Sequence, residues 1–284
     1  GTVLWLIDNH GIRPGGEKSE EEVDTIGAST LNVGHVSLQK NNKILFEFDG
    51  KDGVHFKKSL DAPPQIYSNF KEFLRNKSSA AHVFDSITAA SINQYLKQFD
   101  KDFTSKVFRT RLASSIAAAK LKKIKVKKGL TKKSGVTKKK IKLEFNKANK
   151  KVADVLNHVR DISLKATEAV KKLKGEIKYL KTQIKDANAK NDSKTVTKLQ
   201  RRLESKSETL SNKQDTMSRA MSTSLANYID PRIVVAWASK QAEKENYQVF
   251  MVTPDKDFGQ LVSENIFMYR PARMGNAIEI WGIP

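Results

Sequence analysis

Tyr228 is the side chain whose setting most invites chemistry. Its phenolic oxygen is a nucleophile once deprotonated, and it stands in Thr223-Ser-Leu-Ala-Asn-Tyr-Ile-Asp-Pro-Arg-Ile-Val-Val-Ala-Trp237. On a helical net Leu225 and Ile229, and past the proline Ile233 and Trp237, recur at i+4 and are expected to face a core. Tyr228 falls beside that stripe. Pro231 fits the first turn of a new helix, so Asp230-Pro231 marks a junction between two helices. A lone tyrosine so placed is expected to pack its ring and find a partner for its hydroxyl. Arg13 in a Pro-Gly-Gly turn, Lys51 in a hairpin turn and His158 beside the apolar face of a helix are, singly, equally ordinary.

The elements that would position these groups follow from pattern. Residues 3–12 read as a buried helix. Asn32–Leu38, Lys43–Phe48 and Gly53–Lys57 are β-rich runs. Asn41-Asn42 and Asp49-Gly50-Lys51-Asp52-Gly53 between them supply turn chemistry, predicting a three-stranded antiparallel meander with Lys51 at its second tip. From Pro63 to about Lys123 the pattern is helical, in segments around Phe70–Leu74, Val83–Leu96 and Phe103–Leu121. Between Lys120 and Lys151 fifteen lysines face one acid, Glu144. The centre of that tract, with two glycines and little apolar content, reads as a mobile basic loop. Such tracts bind phosphate backbones; a solvated loop or a nuclear-import signal fits equally. Order returns at Ile141, and a helix carries Val152, Val155, Leu156 and Val159 on one face with His158 beside it.

Ala166, Val170, Leu173, Ile177, Leu180, Ile184 and Ala187 alternate by four and three residues, a coiled-coil seam. Lys190-Asn191-Asp192-Ser193 breaks it. Val196, Leu199, Leu203, Leu210 and Met217 resume it, interrupted by Lys206 and Lys213. Two antiparallel helices in a hairpin fit this best. Beyond Ala238, strands are expected at Tyr247–Thr253, Ile266–Tyr269 and, after Met274-Gly275-Asn276, Ala277–Trp281.

Charge sets the partner. Fifty-two Lys and Arg against thirty-one Asp and Glu leave +21 over 284 residues, which points to nucleic acid first and an acidic membrane surface second. No run of about 18 apolar residues predicts a membrane-spanning helix. The start lacks the basic region of a secretory signal, and a first residue of Gly suggests a fragment. With no cysteine there is neither disulfide, thiol catalysis nor thiolate-bound zinc.

The stretch around Tyr228 closely resembles the active-site motif of eukaryotic type IB DNA topoisomerases, Ser-Lys-x-Asn-Tyr-x-Asp-Pro-Arg; Asn227-Tyr228-Ile229-Asp230-Pro231-Arg232 keeps it, and Leu225 replaces its lysine. Other motifs follow in family order. Arg13-Pro14-Gly15-Gly16-Glu17-Lys18 is similar to Leu-Arg-x-Gly-x-Glu-Lys, and Asp24-Thr25-Ile26-Gly27 to Asp-Thr-Val-Gly. Gly50-Lys51-Asp52 matches Gly-Lys-Asp, and Lys106-Val107-Phe108-Arg109-Thr110 matches Lys-x-x-Arg-Thr. After Arg109, only Ala113-Ser114 of the family's Tyr-Asn-Ala-Ser remains. Leu156-Asn157-His158-Val159-Arg160 is similar to Cys-Asn-His-Gln-Arg. The resemblance covers roughly residues 1–238.

The resemblance implies a catalytic pentad: Arg13, Lys51, Arg109, His158 and Tyr228. A phosphodiester repels nucleophiles, so its transition state needs fixed donors on the nonbridging oxygens. Arg13 and Arg109 would supply them as charged forks and His158 as a further donor. Tyr228 would attack, forming a 3′-phosphotyrosine, and Lys51 would protonate the departing 5′ oxygen. Relaxation of supercoils would then need neither ATP, metal nor any other cofactor.

The implied fold is α+β, mostly α: the catalytic fold shared by type IB topoisomerases and tyrosine recombinases, with an inserted antiparallel coiled-coil hairpin. The expected division is a catalytic core over 1–163 with its basic loop at 122–140, a coiled-coil linker over 164–215, and the tyrosine segment over 216–239. The tail, 240–284, resembles part of the 5′-nuclease domain of bacterial DNA polymerase I. It places Asp255 and Asp257 as a vestigial metal-ligand pair; a charged turn fits those two equally, and a two-metal nuclease needs more carboxylates. The tail therefore reads as a fusion or a gene-model join rather than a second active site.

Expected partners are double-stranded DNA, with no membrane and no small-molecule substrate, for a monomer in the nucleus on chromatin. Whether such a fragment works without the family's N-terminal DNA clamp stays open. A tyrosine recombinase or integrase is the alternative enzyme, though recombinases usually show His-x-x-Arg where Lys106-x-x-Arg109 stands. A noncatalytic basic DNA-binding protein would explain the charge but not the ordered motifs.

Overall fold

The computed structural model describes residues 1–16, 26–124, 135–271 and 279–283. Glu17-Lys18, Asp24-Thr25, the centre of the basic loop at 125–134, and Met274-Gly275-Asn276 with Ala277 lie outside the described residues. Two compact units emerge: Gly1–Ala113 with Val152–Val159 and Ala226–Tyr228, and Ser114–Lys151 with Arg160–Leu225 and Ile229–Pro284. The described residues are mostly helical, with two small sheets.

The first unit opens with α1 (Thr2–His10), which ends at Gly11 in the left-handed conformation, φ 66°. There the amides of Gly11 and Ile12 turn back onto the Ile7 and Leu6 carbonyls, closing the helix end. The meander forms as expected: β1 (Val36–Gln39), β2 (Lys43–Asp49) and β3 (His55–Asp61) pair antiparallel in sequence order. Period-two alternation buries Ile44, Phe46 and Phe48 of β2 and Phe56 and Leu60 of β3 on one face. Against this face pack Leu6 and Ile7 of α1 and Phe70 of α2 (Pro64–Phe73). Each such fully buried side chain contributes about 1.5–3 kcal/mol. Phe70 meets Phe46 at 5.5 Å and Phe84 at 6.0 Å, both edge to face.

One helical expectation fails here. Val83–Leu96 is not one helix, because α3 spans only Ala89–Lys97. Thr88 caps it in a reciprocal box with Ser91. Upstream, the Val83 amide bonds to Leu31 O at 2.8 Å, and Asn32 bridges His82 in strand fashion. Phe84 enters the core from this extended segment. Next come α4 (Ser105–Lys122) and α5 (Gly135–Val155). The latter begins six residues before Ile141, so part of the expected loop is helix.

The second unit holds α6 (Leu164–Ala189) and α7 (Ser193–Thr216), reversed at Asn191, which takes φ 54°. Leu180, Ala187 and Leu199 form their buried contact, flanked by Ile184, Val196 and Leu203. Lys206, apparently misplaced in an apolar seam, pairs with Glu176 at 2.5 Å.

The stripe expected through Leu225 forms only in part: Ile229 is buried and Ile233 and Trp237 are half-buried, but Leu225 is not. α8 (Met221–Asn227) stops before the junction, and α9 (Pro231–Lys244) starts afresh, N-capped by Asp230. The helical net is broken there, so its phase resets. Leu225 is exposed, whereas Ser224 and Tyr228 are buried. The Asp230 amide donates to Ser114 Oγ of α4 at 3.0 Å.

In the tail, β4 (Val249–Val252) pairs parallel with β5 (Ile266–Arg270), which pairs antiparallel with β6 (Glu279–Trp281). Met251, Phe258, Ile266 and Met268 form its core, with Val235 of α9 packed against them. Asp257 pairs with Arg232 at 2.5 Å, and Asp255 accepts the Asp257 amide as a turn cap.

Candidate active site

Four of the five expected residues, Arg13, Lys51, Arg109 and Tyr228, line one open recess of about 270 Å³ in the first unit. Tyr228 follows the last turn of α8 and is 9% exposed. Its hydroxyl accepts a 2.6 Å hydrogen bond from Arg109 Nη1, and the guanidinium carbon lies 4.6 Å from the ring centroid. Lys106, one turn before Arg109 on α4, also lines the recess, with Nζ 5.9 Å from the same centroid.

Arg109 is the most constrained of the group, at 3% exposed. Its Nε donates to Gly11 O at 3.0 Å and its Nη2 to Leu156 O at 3.5 Å. The first acceptor depends on glycine. A Cβ on Gly11 would stand 2.6 Å from Leu156 Cδ2, at a positive φ that suits glycine. Burial lowers the Arg109 pKa to about 10; the Tyr228 phenol opposes this and Arg13 adds to it. Arg109 stays charged at neutral pH.

Arg13 sits in a turn that a second segment clasps. Ala28 N donates to Arg13 O at 2.7 Å, and Ser29 N donates to Pro14 O at 2.8 Å. Gly27 makes this fit, since a Cβ there would meet Gly15 N at 2.3 Å and Arg13 O at 2.6 Å. The motif Asp24-Thr25-Ile26-Gly27 thus has a physical reason for its last member. Lys51 begins the tight turn Lys51–Gly53 between β2 and β3, where the Gly50 and Val54 backbone close the hairpin at 2.9 Å. It is exposed, a long arm at the rim of the recess.

His158 is not on a helix, contrary to expectation. α5 ends at Val155, Asn157 turns left-handed at φ 54°, and the His158 amide returns to Ala153 O at 2.8 Å. This is a Schellman-type closure. It swings His158 inward, to 3% exposed, while Val159 is exposed. The ring reaches Tyr228, with centroids 5.1 Å apart and planes at 41°. Burial first, then the charges of Arg109 and Arg13, lower its pKa to about 4. At neutral pH it is an uncharged imidazole with one N–H to donate.

The arrangement gathers a phenol, two guanidiniums and an ammonium at one recess, with a neutral imidazole against the phenol ring. That combination suits a tetrahedral or pentacoordinate oxyanion. Among the described residues no group of three or more His, Asp or Glu could hold a metal ion. Asp255 and Asp257 belong to the other unit, engaged as described above.

A family model for the eukaryotic DNA topoisomerase I catalytic core matches residues 1–191. The chain belongs to the eukaryotic DNA topoisomerase I family. A second topoisomerase model, for the C-terminal domain, matches residues 200–258. DNA topoisomerase 1 alpha of Arabidopsis thaliana is 33% identical over 264 residues, covering 84% of this chain and 28% of that protein. DNA topoisomerase 1 of Caenorhabditis elegans is 32% identical over 262 residues, covering 84% and 32%. The mitochondrial DNA topoisomerase I of Rattus norvegicus is 29% identical over 267 residues, covering 84% and 44%. The chain therefore spans less than half the length of each of these topoisomerase relatives.

Sequence reading passed over one residue beside this site. Lys58 lies on the inward face of β3, between buried Phe56 and Leu60 and opposite Phe46. The signal was available: a lysine at a core position of an alternating strand breaks the pattern.

Proposed function

We propose that this chain is the DNA-cutting part of a type IB topoisomerase, which relaxes supercoils through a transient single-strand break. The observation that carries the proposal is the convergence of Arg13, Lys51, Arg109 and Tyr228 on one recess, with His158 against the tyrosine ring. Arg13 and Arg109 hold the nonbridging oxygens of a phosphodiester, and the neutral His158 adds an uncharged hydrogen bond to one of them. Tyr228, having given its proton to solvent water in the open recess, attacks phosphorus. The bond from phosphorus to the 5′ oxygen breaks, and Lys51 delivers the proton which that oxygen needs. The phosphotyrosine retains the energy of the broken bond, so the 5′ hydroxyl can reverse the reaction after the strand has swivelled.

In this reading the fold is the one shared with tyrosine recombinases. The core spans 1–163, α6 and α7 over 164–215 form an antiparallel coiled-coil linker, 216–239 carries the tyrosine, and 240–284 is an appended tail, among whose described residues no group of three or more His, Asp or Glu could hold a metal ion. The protein acts as a monomer on double-stranded DNA, in the nucleus, with no cofactor. The excess of positive charge supports that partner, and no described helix is long and apolar enough to cross a membrane. Relaxation of supercoiled plasmid in the presence of EDTA tests the proposal. A ladder of relaxed topoisomers is expected. Relaxation that requires a divalent metal would overturn it, and exchange of strands between two duplexes would favour a recombinase.

A further inference from the structure

We propose that Lys58 is a positioning residue of the active site, holding His158 in place through the end of α5. The inference rests on the topoisomerase reading above. A helix leaves its last four carbonyls without intrahelical partners, and its C-terminus carries partial negative charge. In α5 those carbonyls belong to Val152, Ala153, Asp154 and Val155. The turn itself satisfies two of them, through Leu156 N to Val152 O at 3.0 Å and His158 N to Ala153 O at 2.8 Å. Lys58 Nζ takes the other two, at 3.0 Å from Asp154 O and 3.1 Å from Val155 O. An ammonium with three donors suits two converging carbonyls, and its charge opposes the helix dipole.

The same strand grips the turn a second time, because Asn157 Nδ2 donates to His55 O at 3.3 Å. Between these ties the chain has nowhere to slide. Asn157 is fixed at positive φ, and the next residue is His158. β3 also follows directly on the hairpin tip that presents Lys51. One strand thus registers the proposed general acid against the proposed imidazole donor. A lysine on the core face of β3, which packing alone disfavours, acquires a purpose.

The test is a double-mutant cycle on single-turnover cleavage of an oligonucleotide duplex by the full chain. Lys58→Met keeps the length and the apolar stem but loses the three donors. Alone, it should slow cleavage by about tenfold or more, since small misplacements at a reacting centre cost up to about 10²-fold. In a His158→Ala background the same change should cost less than about twofold, because the group it positions is gone. Duplex affinity, read by fluorescence anisotropy, should stay within about twofold of the parent chain. Losses that multiply in the double variant, or a Lys58→Met rate equal to that of the parent, would overturn the proposal. Should Lys58→Met not fold, Lys58→Gln, which can still satisfy one carbonyl, should give a smaller loss that likewise vanishes with His158→Ala. If the unaltered chain forms no covalent adduct, the topoisomerase reading itself falls; an adduct without the coupling removes Lys58 alone.

Discussion

Arg109 holds Tyr228 by its hydroxyl, at 2.6 Å from Nη1, while its other nitrogens are tied to the backbone at Gly11 and Leu156. The guanidinium is thereby a fixed bracket, oriented before any substrate arrives. Such preorganised charge is where electrostatic catalysis gains most, because nothing need rearrange as the transition state forms. Lysine in its place keeps the charge but has no planar fork to span the three oxygens. Arg109→Lys should lower the cleavage rate by about 10²–10³-fold and leave duplex affinity nearly unchanged. A variant within about tenfold of the parent rate would show that charge alone suffices.

In the proposed mechanism Lys51 makes a different kind of contribution, confined to one atom of the leaving group. Replacing the bridging 5′ oxygen by sulfur gives a thiolate that departs without a proton. Lys51→Ala should therefore slow cleavage of ordinary DNA by about 10²-fold or more and cleavage of the sulfur-bridged strand far less. Equal slowing of both substrates would assign the proton to another group.

His158 is held well below the ordinary histidine value, at about 4, by burial and by Arg109 and Arg13. The unfolded chain binds a proton near the ordinary value of about 6.5, so between these limits acid favours unfolding. The stabilisation from neutral His158 is present above about pH 6.5 and is lost progressively as pH falls toward about 4. His10, lowered to about 4 by burial and by Lys58, acts in the same window and direction. Denaturant midpoints should fall between about pH 7 and pH 4.5, and His158→Gln should remove part of that fall. A midpoint slope identical in both proteins would show that His158 is not held neutral.

Gly27 supports Arg13 through the close approach of two backbone segments. Alanine there would place its Cβ 2.3 Å from Gly15 N, which requires the Arg13 turn to move. Gly27→Ala should cost about 1–3 kcal/mol of stability and reduce cleavage by more than binding. Thermal melts and cleavage rates measured together check this. An unchanged melting temperature with full activity would mean that the turn is not clasped as described.

Much of this site was legible in the sequence for a particular reason. Arg13, Lys51, Arg109, His158 and Tyr228 each sit in a short local motif, and the meander that presents Lys51 is dictated by alternation and turn residues. The failures share a cause as well. The stripe through Leu225 assumed that the helix before Asp230-Pro231 runs on to Ile229, but α8 ends at Asn227, leaving Leu225 exposed and Tyr228 buried beside Ile229. His158 was read onto a helix because Leu156 and Val159 continue the apolar period of Val152 and Val155, whereas Asn157 adopts the left-handed conformation and ends it. Val83–Leu96 looked helical because Phe84 is apolar, yet its pairing is with residues 31–32, fifty positions distant in sequence. Contacts of that range leave no periodic trace of their own; Lys58 shows only as a break in the alternation of β3.

The account stands or falls on Tyr228 as the nucleophile. The direct measurement is to trap the covalent complex on a duplex labelled 5′ of the break, digest the protein, and identify the nucleotide-bearing peptide by mass spectrometry. The expected outcome is a 3′-phosphate ester on the peptide containing Asn227-Tyr228-Ile229, absent from Tyr228→Phe, which should still bind duplex nearly as well because no charge is removed. A nucleotide found on any other residue, or an adduct that persists in Tyr228→Phe, would contradict it.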